Sequence, residues 1–120
     1  MHKIFLLIFI LNLSIFSENA WAKRLHPEKY YQDKWCAKMG GITEYVLDDK
    51  TRVDCLTDEY AVEVDFANKW AEAVGQSLYY ALKTGKKPGI LLITEKEKDS
   101  RFRVRLDRLA EKYDIEVWEE

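Results

Sequence analysis

The stretch RVDCLTDEYAVEVDFANKWAEAVGQSLYY, residues 52–80, restricts the fold more than any other part of the chain. It holds two short runs rich in β-branched residues, separated by a turn, and then a pattern of helical period. A turn centred on Asp58-Glu59 pairs Leu56 with Ala61, Cys55 with Val62, Asp54 with Glu63, Val53 with Val64 and Arg52 with Asp65. Val53, Cys55, Val62, Val64 and Phe66 then share one apolar face, and Asp54, Glu63 and Asp65 share the other. A slip of one residue would mix the faces, so the pattern pins the register. In the following helix Lys69, Ala73, Gln76 and Tyr80 form one stripe. Trp70, Val74, Leu78 and Ala81 form an apolar stripe beside it.

The rest of the chain can be laid out around this centre. Pro27 and Glu28 open a helix that runs to about Met39 and stops at Gly40-Gly41. Strands are expected at 42–47, 51–57 and 60–66, with Asp48-Asp49-Lys50 as a turn. Asn68 is expected to cap a helix reaching about Lys83. Ile90-Leu91-Leu92-Ile93-Thr94 reads as a strand buried on both faces. Asp99 or Ser100 starts a last helix to about Tyr113, and residues 115–118 close as a strand. The order is α-β-β-β-α-β-α-β. Three strands with tight connections predict an antiparallel meander, and the two strands reached through helices should add in parallel.

Met1-His2-Lys3, an apolar run from Ile4 to Phe16 and Ala20-Trp21-Ala22 predict a signal peptide, residues 1–22, cleaved after Ala22. The alternative is an uncleaved anchor, but a span needs roughly 20 apolar residues and this run is shorter. Residues 23–120 make one small domain. No second apolar run follows, so no membrane contact is expected after cleavage, and the compartment is the periplasm or the cell exterior. Net charge is −2 over 120 residues, which does not advertise a nucleic-acid footprint. Cys36 and Cys55 favour one disulfide in an oxidising compartment. Two buried thiols or a metal site are the alternatives.

Opposed like charges destabilise a sheet, so Asp54 against Glu63 asks for a physical reason. One carboxyl keeps its proton, or the two splay into solvent, or a divalent cation such as Mg²⁺ sits between them. Lys69 in the first turn of a helix is electrostatically misplaced unless an anion holds it there. Arg52 opposite Asp65 reads equally as an ordinary ion pair or as a neighbour of a metal ligand. Arg101, Arg105 and Arg108 form a stripe on the last helix, better read as the solvated side of a helix that packs through Phe102, Leu106 and Leu109. Trp35, Trp70, Tyr79 and Trp118 are expected in the core.

These residues give the chain a resemblance to the PD-(D/E)xK, or restriction-endonuclease-like, nuclease superfamily. Asp54 matches the motif Asp, and Glu63-Val64-Asp65 matches the tripeptide except that Asp65 stands in the lysine's place. Lys69 resembles the lysine that some members carry on the following helix. Gln76 with Tyr79-Tyr80 resembles the Gln-x-x-x-Tyr element of the RecB-like and Holliday-junction-resolvase-like branches. Glu28, and more weakly Glu44, match further acids. The resemblance implies an α/β fold with an αβββαβ core, here extended by a C-terminal αβ, and a mixed sheet flanked by helices. It implies a Mg²⁺- or Mn²⁺-dependent endonuclease acting on DNA rather than RNA. Asp54, Glu63 and Asp65 would be metal ligands, and Asp54, Glu63, Lys69 and Gln76 catalytic residues. Lys83, Lys86 and Lys87 are candidate nucleic-acid contacts. The alternative is a periplasmic interaction module that keeps the fold without the chemistry. Oligomeric state has no signal in the sequence.

Overall fold

Short connections leave β1 (Ile42–Val46), β2 (Arg52–Leu56) and β3 (Tyr60–Phe66) no choice but antiparallel pairing, and the computed structural model, which describes residues 24–120, has them in that meander. The signal-peptide reading of residues 1–22 lies outside the described residues. The turn from β2 to β3 is closed by Thr57, whose Oγ1 accepts the Tyr60 N–H at 2.8 Å. β3 and β4 (Lys87–Ile93) pair in parallel over seven residues, from Tyr60↔Lys87 to Phe66↔Ile93. β5 (Glu116–Glu119) adds in parallel on the far side of β4. The sheet therefore runs β1-β2-β3-β4-β5. It is a mixed sheet of an α/β protein.

α1 (Glu28–Lys38) begins behind Pro27, which needs no N–H there, and ends at Gly40, whose φ of +68° suits a residue without a Cβ. α1 covers one face of the sheet, where Trp35 and Cys36 pack with Cys55, Val62, Val64, Phe66, Leu91 and Ile93. α2 (Trp70–Thr84) and α3 (Ser100–Tyr113) cover the other, where Ala73, Val74, Leu106 and Ala110 pack on Ile90 and Leu92. Ile90, Leu91, Leu92 and Ile93 are all fully buried, as a run apolar on both sides requires. The polar side of α3 is solvated, and its other side packs through Phe102, Leu106 and Leu109.

The disulfide forms between Cys36 and Cys55, with Cα atoms 5.7 Å apart. It ties α1 to β2, an interior strand of the sheet. Gly41 lies against it: a Cβ there would come within 2.6 Å of Cys55 Sγ and 2.8 Å of Cys36 Sγ.

Four expectations need correction. Asn68 does not cap α2: residues 67–69 form a 3₁₀ turn, and Asn68 Oδ1 accepts a hydrogen bond from Arg24 instead. Arg52 does not meet Asp65, because the β2–β3 ladder extends only through Leu56↔Ala61 and Cys55↔Val62. Arg52 lies 3.8 Å from Glu44 on the other side. Val53 does not share the Cys55 face, but packs with Ala61 and Tyr80. Tyr79 is exposed, and its hydroxyl bonds Asp49. The second and third share one cause, a break in the ladder at Asp54.

Candidate functional site

Asp54 interrupts β2. Its Oδ2 accepts the backbone N–H of Val64 at 2.8 Å, so a side-chain carboxylate takes the place that a backbone carbonyl would hold in a regular ladder. The neighbouring ladder skips the same step: β1 and β2 pair at Thr43↔Cys55 and Tyr45↔Val53, and Glu44 between them has φ 53°. The backbone carbonyl of Asp54 takes a side-chain partner at this break. Gln32 supplies it, donating from Nε2 at 2.9 Å, and the same nitrogen reaches Glu44 Oε1 at 3.2 Å. The break turns Val53 away from Cys55 and separates Arg52 from Asp65.

The acids converge because of this break. The carboxyls of Asp54 and Glu63 lie side by side, close enough for one proton to bridge them. Such closeness of two carboxyls requires a shared proton. Burial raises the pKa of Glu63, and the charge of Asp54 raises it further, with Asp65 and Glu28 adding to the effect. Asp54 is also raised, by burial, although the Val64 N–H opposes the shift. The proton therefore belongs to the pair, held more by Glu63. Asp65 is pushed up to about 7, first by burial, then by Glu28 and Asp54, against the opposing charge of Lys69. Glu28 is raised by burial and by Asp54, with Lys69 again opposing.

The helices complete the walls. Glu28, Gln32 and Cys36 recur every fourth residue, so one stripe of α1 carries an acid, the amide that serves Asp54, and the disulfide. From α2, Gln76 Nε2 oriented as a donor lies 2.7 Å from Glu63 Oε1 and 3.2 Å from Oε2. Tyr80, one turn further, is buried beside it. Together Glu28, Gln32, Glu44, Asp54, Glu63, Gln76 and Tyr80 line an open cleft of about 520 Å³. Lys29, Lys50 and Arg52 stand on its rim.

Asp54, Glu63, Gln76, Glu28 and Glu44 are thus brought together. Asp65 and Lys69 lie beside the cleft rather than on its wall. Lys69 is exposed and close enough to influence Glu28 and Asp65, but among the described residues it makes no direct ion pair. The three basic residues after α2 are engaged locally. Lys83 pairs with Asp48 at 2.8 Å, Lys86 donates to the Asp58 carbonyl at 2.7 Å, and Lys87 pairs with Glu59 at 3.1 Å. Gln32 was missed by sequence reasoning. Its signal was the spacing from Glu28, a polar residue on the helix stripe that also carries Cys36.

The donor set is all oxygen. Among the described residues no group of three His, Cys, Asp or Glu side chains is disposed to hold a metal ion. Asp54 and Glu63 instead offer two adjoining carboxylates, which fits a hard cation that keeps most of its water, as Mg²⁺ does. Without a cation, the pair is suited to holding and passing one proton. Comparison of the chain with protein-family models, curated proteins and solved structures finds no match.

Proposed function

We propose that this protein is an exported phosphodiester hydrolase acting on DNA, with a restriction-endonuclease-like core and Asp54 and Glu63 at its catalytic centre. The observation that carries this reading is the closeness of the half-buried Asp54 carboxyl to the buried Glu63 carboxyl on the neighbouring strand, the latter held by Gln76. Excess negative charge gathered out of water is costly unless a cation or a proton compensates it. Mg²⁺ or Mn²⁺ held by Asp54 and Glu63 would lower the pKa of water and offset charge on the phosphate. Asp65, at the cleft's side, is the further acid of this set.

The protein's own groups have separable tasks in this scheme. Gln76 fixes the Glu63 carboxylate and frees one lone-pair direction for a ligand. The Val64 N–H fixes Asp54 in the same way. Gln32 stabilises the open ladder on which Asp54 depends. Lys69 is the positive side chain that acts on Asp65, makes no ion pair among the described residues, and can swing toward a bound phosphate as charge develops there.

The test is plasmid cleavage by the oxidised chain in Mg²⁺ or Mn²⁺. Glu63→Gln should remove activity, and Lys69→Ala should lower it by about 10²-fold or more, the usual scale for losing one electrostatic stabiliser. Absence of cleavage at every metal concentration rejects the hydrolase. One observation favours a second reading, a non-catalytic interaction module: Asp65 occupies the motif lysine's place while Lys69 stands off the cleft wall. That reading expects no cleavage.

A further inference from the structure

A second cavity, of about 250 Å³, lies outside the acidic cleft, and Arg24, Lys96, Lys98 and Arg101 all line it. Among the described residues the one carboxylate on its wall is Asp99, which is buried and whose Oδ2 accepts the Lys96 N–H at 3.2 Å. Of the four basic side chains on this wall, the two arginines are the ones that bear on a ligand. This separates the cavity from the other basic regions. Lys83, Lys87, Arg52 and Arg103 each pair with a carboxylate. Arg24 and Arg101 make no ion pair among the described residues.

Arg24 is also held in position. Its guanidinium stacks on Phe66 at 3.7 Å and donates to Asn68 Oδ1 at 3.1 Å. The backbone just after it is pinned by Glu95, whose Oε2 accepts the N–H groups of Leu25 at 3.1 Å and His26 at 3.2 Å. A planar guanidinium has five N–H donors, so most of Arg24's remain for a ligand. Arg101 lies over the Phe102 ring at 4.6 Å, which orients its fork without consuming its donors. Arginine forks suit phosphate better than any other side chain.

The position matters as much as the charge. The cavity opens where β3 and β4, parallel neighbours, reach their carboxyl ends, the usual place for ligands in an α/β sheet. It also adjoins the cleft: Asn68 on its wall precedes Lys69, and Arg24 acts electrostatically on Glu28. We propose that this cavity is a phosphate subsite that grips the backbone of a DNA strand whose reacting phosphodiester lies in the acidic cleft. This rests on the hydrolase reading for the second half of the sentence only. The near-neutral net charge is consistent with it, because a local grip replaces a basic surface.

Binding of a fluorescein-labelled single-stranded oligodeoxynucleotide to the full oxidised chain in EDTA, read by anisotropy, tests the subsite. Arg24→Ala and Arg101→Ala should each weaken binding several-fold. The double variant should reduce the slope of log K against log salt by about 0.7 for each phosphate it no longer neutralises. Lys112→Ala, on the far end of α3, controls for charge alone, and thermal melts check that the variants fold. No salt-dependent binding by the wild type, or an unchanged slope in the double variant, overturns the subsite. A separate assay reads the cleft: hydrolysis of bis(p-nitrophenyl) phosphate with Mn²⁺, wild type against Glu63→Gln. If hydrolysis is absent but binding depends on Arg24 and Arg101, the hydrolase fails and the DNA grip stands. If hydrolysis depends on Glu63 while binding ignores both arginines, the reverse holds.

Discussion

Asp54 does at one position what usually takes a whole β-bulge. By giving its carboxylate to the Val64 N–H, it opens the ladder, stands beside the Glu63 carboxyl, and presents its own carbonyl to Gln32. The cost is stored in the acids. Glu63→Gln keeps a neutral group within reach of Gln76 and removes the proton that Glu63 must take up on folding above its ordinary pKa. It should stabilise the cation-free protein by about 1–2 kcal/mol at pH 8, within the range found when strained sites are relieved. Urea unfolding measures this. On the proposed Mg²⁺-binding reading, Mg²⁺ should raise the melting temperature of the wild type and not that of this variant. Gln32 works in the opposite sense. Gln32→Ala leaves the Asp54 carbonyl without its partner and should cost about 1–3 kcal/mol, the penalty for an unpaired buried polar group. An unchanged urea midpoint would argue that water replaces the amide at no cost.

At the scale of elements, α1 is the variable wall of the cleft and the disulfide is what holds it. Glu28, Gln32 and Cys36 lie on one stripe, so any sliding of α1 on the sheet moves all three together. The Cys36–Cys55 link closes a loop with a sequence separation of 19, for which chain-entropy reasoning gives about 3 kcal/mol of stabilisation. Reduction should remove about that much, measured by denaturation with and without dithiothreitol. On the proposed hydrolase reading it should also weaken Mg²⁺ binding in protein that is still folded, because Gln32 and Glu28 lose their anchor. Gly41→Ala forces a methyl into the space filled by the two sulfurs. It should therefore hinder oxidation as well as lower stability, which thiol titration of the refolded variant would detect. α2 needs no such anchor. Its apolar stripe packs on Ile90 and Leu92, and this packing alone delivers Gln76 and Tyr80 to the cleft.

For the molecule as a whole, the clustered acids set how stability responds to pH. Their folded pKa values are raised, so the folded state binds more protons than the unfolded chain does. Stability from these groups is then fully present below the unfolded pKa and is lost as pH rises through the folded one. For Asp65 the window runs from the ordinary 3.8 to about 7, and Glu63 extends it upward. The cation-free protein should therefore lose stability on going from mildly acidic to neutral pH, opposite to a protein whose carboxylates sit in salt bridges. Saturating Mg²⁺ should flatten that slope, since a cation replaces the protons. Melting curves across pH, with EDTA or with Mg²⁺, decide both points. A stability that rises with pH in EDTA would mean that the carboxyls reach solvent and splay apart.

Much of this architecture was legible in residue order. The apolar alternation of β3, the continuous apolar run of β4, the turn residues and the glycine stops each act over a few positions, so the element order and the antiparallel-then-parallel sheet follow from the sequence. The Cys36–Cys55 bond was legible from an even cysteine count; Asp54 does approach Glu63, but through a break in the ladder and not through the hairpin rung that residue order predicts. What residue order could not supply depends on contacts between distant segments. Whether the ladder continued past Cys55 was settled by a side chain competing with a carbonyl for one N–H, and by Gln32 arriving from a helix 22 residues away to serve the Asp54 carbonyl. Arg52 turned to Glu44 for the same reason, and Lys69 stayed off the cleft wall because a 3₁₀ turn, not an Asn68 cap, begins α2. Periodicity is a property of neighbours along the chain. The choice among hydrogen-bond partners is a property of the packed whole.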